Sequence, residues 1–148
     1  MGSEPYWYYV AYEEDKNNAL QTLRKQEFEA GRYNPVIAHM EFPITGNSIS
    51  PGKKHKTIEE ALEDSEEDGT RSILDLETVS EEDSYSTARI LQKDELIKYF
   101  NTEKPTRNII DENLYNLMEN IERGKGLCIT VYENEKPAEL FFAGYSFD

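Results

Sequence analysis

From Tyr6 to Tyr12 apolar and aromatic side chains alternate, with Tyr6, Tyr8, Val10 and Tyr12 on one side and Trp7, Tyr9 and Ala11 on the other. That pattern predicts a strand with both faces at least partly covered. Asp15 stands where a helix cap belongs and Gly31 where a helix ends, so a helix is predicted to run to about Ala30. Ala19, Leu20, Leu23 and Ala30 share one face of it, while Phe28 points nearly opposite. Either the helix frays before Phe28 or a second surface covers that ring. Val36–Phe42 predicts a second strand, and Pro43–Lys56 a loop rich in Gly, Pro, Ser and Asn. Thr57 and Glu60 form the T-x-x-E box that opens a short helix burying Ile58, Ala61 and Leu62 and ending by Gly69.

Arg71–Val79 has the β-branched and apolar content of an inner strand, Ser80–Ser84 is an acidic turn, and Tyr85–Leu91 suits another strand. Asp94 is placed to cap a helix that buries Leu96, Ile97 and Phe100. The strongest periodic signal is Ile110, Leu114, Leu117 and Ile121, which predicts one long helix over Arg107–Arg123 behind a Thr106 cap. Leu127–Tyr132, a turn at Glu133–Lys136 and Ala138–Ala143 close the chain as a β-hairpin. No repeat or linker divides the 148 residues. The expected architecture is a single α+β domain with a mostly antiparallel sheet, helices packed on one face and the C-terminal hairpin. A doubly wound parallel sheet is the alternative. Met1–Ser3 reads as a cloning remnant and is left out of the fold reasoning.

Composition narrows the function. One Cys and two His exclude a disulfide framework and a four-ligand Cys/His zinc site. No apolar run approaches a membrane span, and the first residues lack a signal-peptide pattern. A formal charge of −14 opposes binding to nucleic acid or anionic membranes. That charge is uneven. Residues 1–58 are neutral, whereas residues 59–83 carry twelve acids against Arg71 alone.

The stretches EFEAGRYNPV (27–36), DGTRSILDLETVS (68–80) and FFAGYSFD (141–148) resemble those of a family of small uncharacterised bacterial proteins of about this length. The resemblance covers nearly the whole chain and implies a complete, cytoplasmic bacterial domain. It carries no established activity and transfers no functional residue.

The candidate binding face is therefore the acidic segment, with Glu59, Glu60, Glu63, Asp64, Glu66, Glu67 and Asp68 as its residues. Dense carboxylates face water in many proteins, but they also steer a basic partner and imitate a phosphate array. As an EF-hand beginning at Asp64, the segment places Asp68 and Gly69 correctly. It has Glu66 in the third position and Asp75 in the twelfth, and a strand is predicted where the second helix belongs. No metal and no cofactor is expected.

Lys53, Lys54 and Lys56 run into the capped helix and form a candidate anion site, although the spacing of Gly46 and Gly52 is not that of a P-loop. Cys128, between Leu127 and Ile129, reads as a small core side chain, and His39 as a half-buried strand residue. Asp75 and Glu77 lie two apart on one predicted strand, where solvation at a strand edge accounts for them. An E-x-K partner for them exists only at Glu14–Lys16, at a helix start. Tyr6–Tyr12 and Phe141–Phe147 supply core packing or, if outward, a homodimer face.

The reading is a non-enzymatic acidic protein that binds a basic protein partner, of the kind that acts as an immunity-type inhibitor of a toxin or nuclease, with no catalytic residue. The alternative is a small enzyme acting on an anionic substrate, held by Lys53, Lys54 or Arg32, with His39 or Asp75 moving the proton.

Overall fold

The computed structural model describes residues 3–148, so the cloning-remnant reading of Met1 and Gly2 lies outside the described residues. Five strands form one sheet: β1 (Pro5–Ala11), β2 (Thr78–Ser80), β3 (Thr87–Ile90), β4 (Gly126–Glu133) and β5 (Lys136–Tyr145). Their order is β1-β5-β4-β3-β2. β5 is antiparallel to both β1 and β4, whereas β4, β3 and β2 pair in parallel. The domain is α+β as the sequence predicts, and its sheet is mixed rather than purely antiparallel, with two long antiparallel ladders and two short parallel ones. The β4–β5 hairpin turns at Asn134 and Glu135, both with positive φ. β3 and β4 are separated by a long helical stretch, which lets the chain return to the starting edge and pair in parallel.

Helices cover both faces of the sheet, a correction to the one-face expectation. α1 (Lys16–Ala30) packs Ala19, Leu20 and Leu23 against Tyr6, Tyr8, Leu140 and Phe142. On the other face lie α3 (Lys93–Phe100), α4 (Arg107–Glu112) and α5 (Leu114–Glu119). They bring Phe100, Ile110 and Leu117 onto Ile129, Val131 and Phe141. The remaining helix, α2 (Ile58–Asp64), sits apart from both layers and packs its Ala61 in a third cluster with Phe28, Tyr33 and Leu74. The cause is visible in β5, whose consecutive residues Leu140–Ala143 are all 0% exposed. A continuous apolar run needs cover on both sides. Each such Leu or Phe contributes about 1.5–3 kcal/mol by leaving water.

Several local expectations hold. Asp15 caps α1 through the Asn18 amide, and Gly31 ends it at φ 75°. A side chain at Gly31 would run into the Gly52 backbone, so both the turn and the close approach of the loop require glycine. Thr57 caps α2 through the Glu60 amide. Phe28 is resolved by the second surface, stacking on Tyr33 with ring centroids 5.7 Å apart.

Others fail for identifiable reasons. Val36–Phe42 is not a strand but turn and loop, and Phe42 folds back onto the Trp7 and Tyr8 rings. Arg71–Val79 contains a 3-10 turn at Ile73–Asp75, capped by Ser72, and only β2 at its end. The long helix breaks at Asn113 into α4 and α5. The Asn113 side chain there donates to the Ile109 carbonyl, offering the backbone an alternative to helix. Gln92, not Asp94, caps α3, with Glu95 completing the box. Ile97 is 48% exposed rather than buried.

Candidate functional site

α2 begins at the Thr57 cap and carries Glu59, Glu60, Glu63 and Asp64 outward, because Ala61 is its one buried position. The chain then turns at Ser65 instead of continuing. Ser65 donates its hydroxyl to the Asn34 carbonyl (2.7 Å), and the Asn34 side chain donates to the Gly69 carbonyl (3.1 Å). These bonds fix the acidic turn against the segment that follows α1. Between them lies a hollow of about 390 Å³ walled by Asn34, Pro35, Glu63, Asp64, Glu66, Glu67 and Asp68. All the acids of residues 59–68 are exposed except Asp68, which is half-buried.

Among the described residues, Asp64 is the one acid of this set that pairs directly with a basic side chain, the His55 Nε2 at 2.9 Å. The opposite ring nitrogen of His55 meets the hydroxyl of buried Tyr33 at 2.8 Å, which ties the lysine loop to the core. The acids gathered at this hollow were legible in the sequence. Asn34 and Pro35 were not, since 28–34 residues separate them from the acids they meet and nothing periodic links them.

The lysine loop does not gather around one point. Lys53 leans on Glu29 (3.3 Å) and over the Phe28 ring, and Lys54 and Lys56 extend into solvent. α2 has only seven residues, so its positive end is short as well.

The residues of the enzymatic alternative are dispersed. His39 is exposed on a loop, not half-buried on a strand. It shares a pocket of about 500 Å³ with Arg32, but Asp75, Lys53, Lys54 and Cys128 are not among the residues that line it. Arg32 is already held by Glu27 through two bonds of 2.7 Å, and Glu27 is 1% exposed.

Asp75 corrects the strand-edge reading: it is buried in the 3-10 turn, while Glu77 is exposed. One Asp75 oxygen accepts from the Thr70 amide (2.8 Å) and hydroxyl (2.9 Å), and the other has no partner. Burial raises its pKa, against the lowering effect of the Thr70 bonds. Its role here is to satisfy the buried backbone that approaches it. Cys128 is 0% exposed, and burial pushes its thiol up to about 12, which leaves no thiolate to attack anything at neutral pH.

Among the described residues no three His, Cys, Asp or Glu side chains are grouped so as to hold a metal ion. No helix among them is long and apolar enough to cross a membrane. Compared with protein-family models, with curated proteins and with solved structures, the chain finds no match in any of the three.

Proposed function

We propose that the protein is a binding module whose acidic hollow receives a basic protein partner, and that it acts on that partner by occupying its cationic site, as an immunity-type inhibitor of a toxin or nuclease does. One observation carries the reading. Glu63, Glu66, Glu67 and Asp68 line one hollow, and among the described residues no basic side chain forms an ion pair with any of the four. Like charges held this close cost stability unless an external cation relieves them. The hollow is large enough for a lysine or arginine side chain, and the Ser65 and Asn34 bonds hold the backbone turn that carries its acids. Preorganised complementary charge gives fast, selective association.

The test compares the wild type with a variant carrying Glu63→Gln, Asp64→Asn, Glu66→Gln, Glu67→Gln and Asp68→Asn. Immobilised side by side and exposed to lysate of the source organism, the wild type should retain a basic protein that the variant loses. Equal retention by both would reduce the segment to a solvated face.

A further inference from the structure

β1, β2, β3 and β4 all run in one direction, because β5 lies antiparallel between β1 and β4 while β2, β3 and β4 pair in parallel. Their carboxyl ends therefore share one edge of the sheet. From the end of β1 the chain passes into α1 on one face; from the end of β3 it passes into α3 on the other. Between these two connections the carboxyl edge of the sheet is left open. A cavity of about 420 Å³ lies at this place, and its lining includes Lys16, Gln92, Lys93, Lys104, Ile129 and Thr130. That volume suits a small molecule.

The strands end in a staircase that leaves backbone free. β3 pairs with β4 only as far as Ile90 opposite Cys128, whereas β4 runs on to Glu133. On the flank of β4 turned to β3, the Cys128 carbonyl accepts from the Leu91 amide at 3.2 Å. Further along, the Tyr132 amide donates to the Pro105 carbonyl at 2.8 Å. Peptide groups two residues apart on a strand face the same flank. Thr130, between them, turns its N–H and carbonyl into the gap, and among the described residues no hydrogen bond from there reaches another segment on that flank.

Three ammonium groups gather at the crevice in a protein of net charge −14, with Glu81 and Glu103 in its lining and Glu135 beyond it. The lysines are loosely engaged: Lys93 stands 3.7 Å from Glu103 and Lys104 3.9 Å from Glu135, both in water-exposed pairs of little strength. Lys16 rests over the Tyr12 ring at 5.9 Å. Glu81 accepts from the Gln92 amide group at 3.2 Å.

We propose that this crevice binds a small organic anion, a carboxylate or phosphate monoester carrying an apolar body. Lys16, Lys93 and Lys104 hold the anion, the Thr130 N–H donates to one of its oxygens, and the half-buried Ile90 and Leu96 receive the apolar part. None of these residues belongs to the acidic hollow, so the two readings stand or fall separately.

The experiment titrates the ¹⁵N-labelled full chain with phenyl phosphate, with phenylacetate and, as a neutral control, with benzyl alcohol. The Thr130 amide resonance should shift saturably with at least one of the anions and not with the alcohol. Which anion succeeds decides between the phosphate and carboxylate sources. In a Lys16→Gln/Lys104→Gln variant the affinity should fall at least about tenfold, with the thermal midpoint retained. If that variant unfolds, Lys93→Gln, at a side chain 87% exposed, gives the same comparison. Absence of a saturable shift with either anion, an equal response to the alcohol, or unchanged affinity in the lysine variants overturns the proposal.

Discussion

Beneath α3, α4 and α5 the sheet presents Leu127, Ile129, Val131, Phe141 and Ala143 to Phe100, Ile110 and Leu117, and none of the buried polar side chains belongs to those three helices. Beneath α1 the same sheet presents the Tyr6 and Tyr8 hydroxyls. The covering layer on that side includes buried Arg24, Glu27 and Asp75. The difference follows from what covers each face. Helices satisfy their own backbone and need only apolar side chains toward the sheet. On the α1 side much of the cover is the irregular segment 65–76, whose peptide groups must find partners elsewhere. Tyr8 accepts from the Ile73 amide, Arg24 donates to the Leu74 carbonyl and Asp75 takes the Thr70 amide. One face has an apolar interior with polar links only at its margin, Tyr9 to Asp111 and Arg89 to Glu95; the other has a buried polar web that ends at the turn of the acidic hollow.

The largest effect that can test this contrast is on the dry face. Leu117 is 1% exposed, so Leu117→Ala should cost about 2–5 kcal/mol through lost transfer energy and a cavity. Denaturant unfolding measures it, and a midpoint unchanged within error would remove α5 from the core. On the wet face, Asp75→Ala leaves the Thr70 amide buried without its acceptor and should cost about 1–3 kcal/mol. A loss much smaller than that would mean that the web is ornamental and that segment 65–76 is held by its apolar side chains.

A smaller effect separates charge from hydrogen bonding. The folded-state pKa of Asp75 is raised, so the folded chain takes up a proton at a higher pH than the unfolded chain does. Between the ordinary aspartate value, about 3.9, and the raised folded value, stability from this group declines as pH rises and returns as pH falls. Asp75→Asn keeps an oxygen for Thr70 but cannot titrate. The wild type should therefore gain on this variant as pH is lowered from neutral toward 4, read as the difference between their thermal midpoints. A difference that is flat with pH, or that moves toward the variant, contradicts the buried-carboxylate account. The smallest effect is chemical. The Cys128 thiol, buried and poorly ionised, should react with a thiol reagent far more slowly than the same thiol in denaturant.

The contrast between the faces also explains what could be read from the chain. α1, with Asp15 and Gly31, α2, with Thr57, and the β4–β5 hairpin follow local rules, and local rules are what a sequence displays. The strands expected at Val36–Phe42 and Arg71–Val79 met the right composition, but the first buries only Ile37, and the second buries Ile73, Leu74 and Leu76 from a turn whose backbone is satisfied by Tyr8 and Arg24. Asn113 breaks a helix whose apolar stripe is otherwise continuous, because its side chain competes for the Ile109 carbonyl. Of the acidic hollow, the carboxylates were legible as a charge run, while the concavity depends on Asn34 and Pro35 meeting them across the fold. The lysine crevice was not legible at all, since Lys16 and Lys104 come together only when β1 and β4 align their ends.

The account centres on the claim that the acidic hollow selects the partner. Its most direct test is the association rate of a basic partner retained by the wild type, measured for wild type and five-charge variant at low and at physiological salt. Association with the wild type should be fast at low salt and fall steeply as salt rises, while the variant should associate slowly with a much flatter dependence and a dissociation rate changed less. Equal association rates and equal salt slopes for the two proteins would contradict the claim.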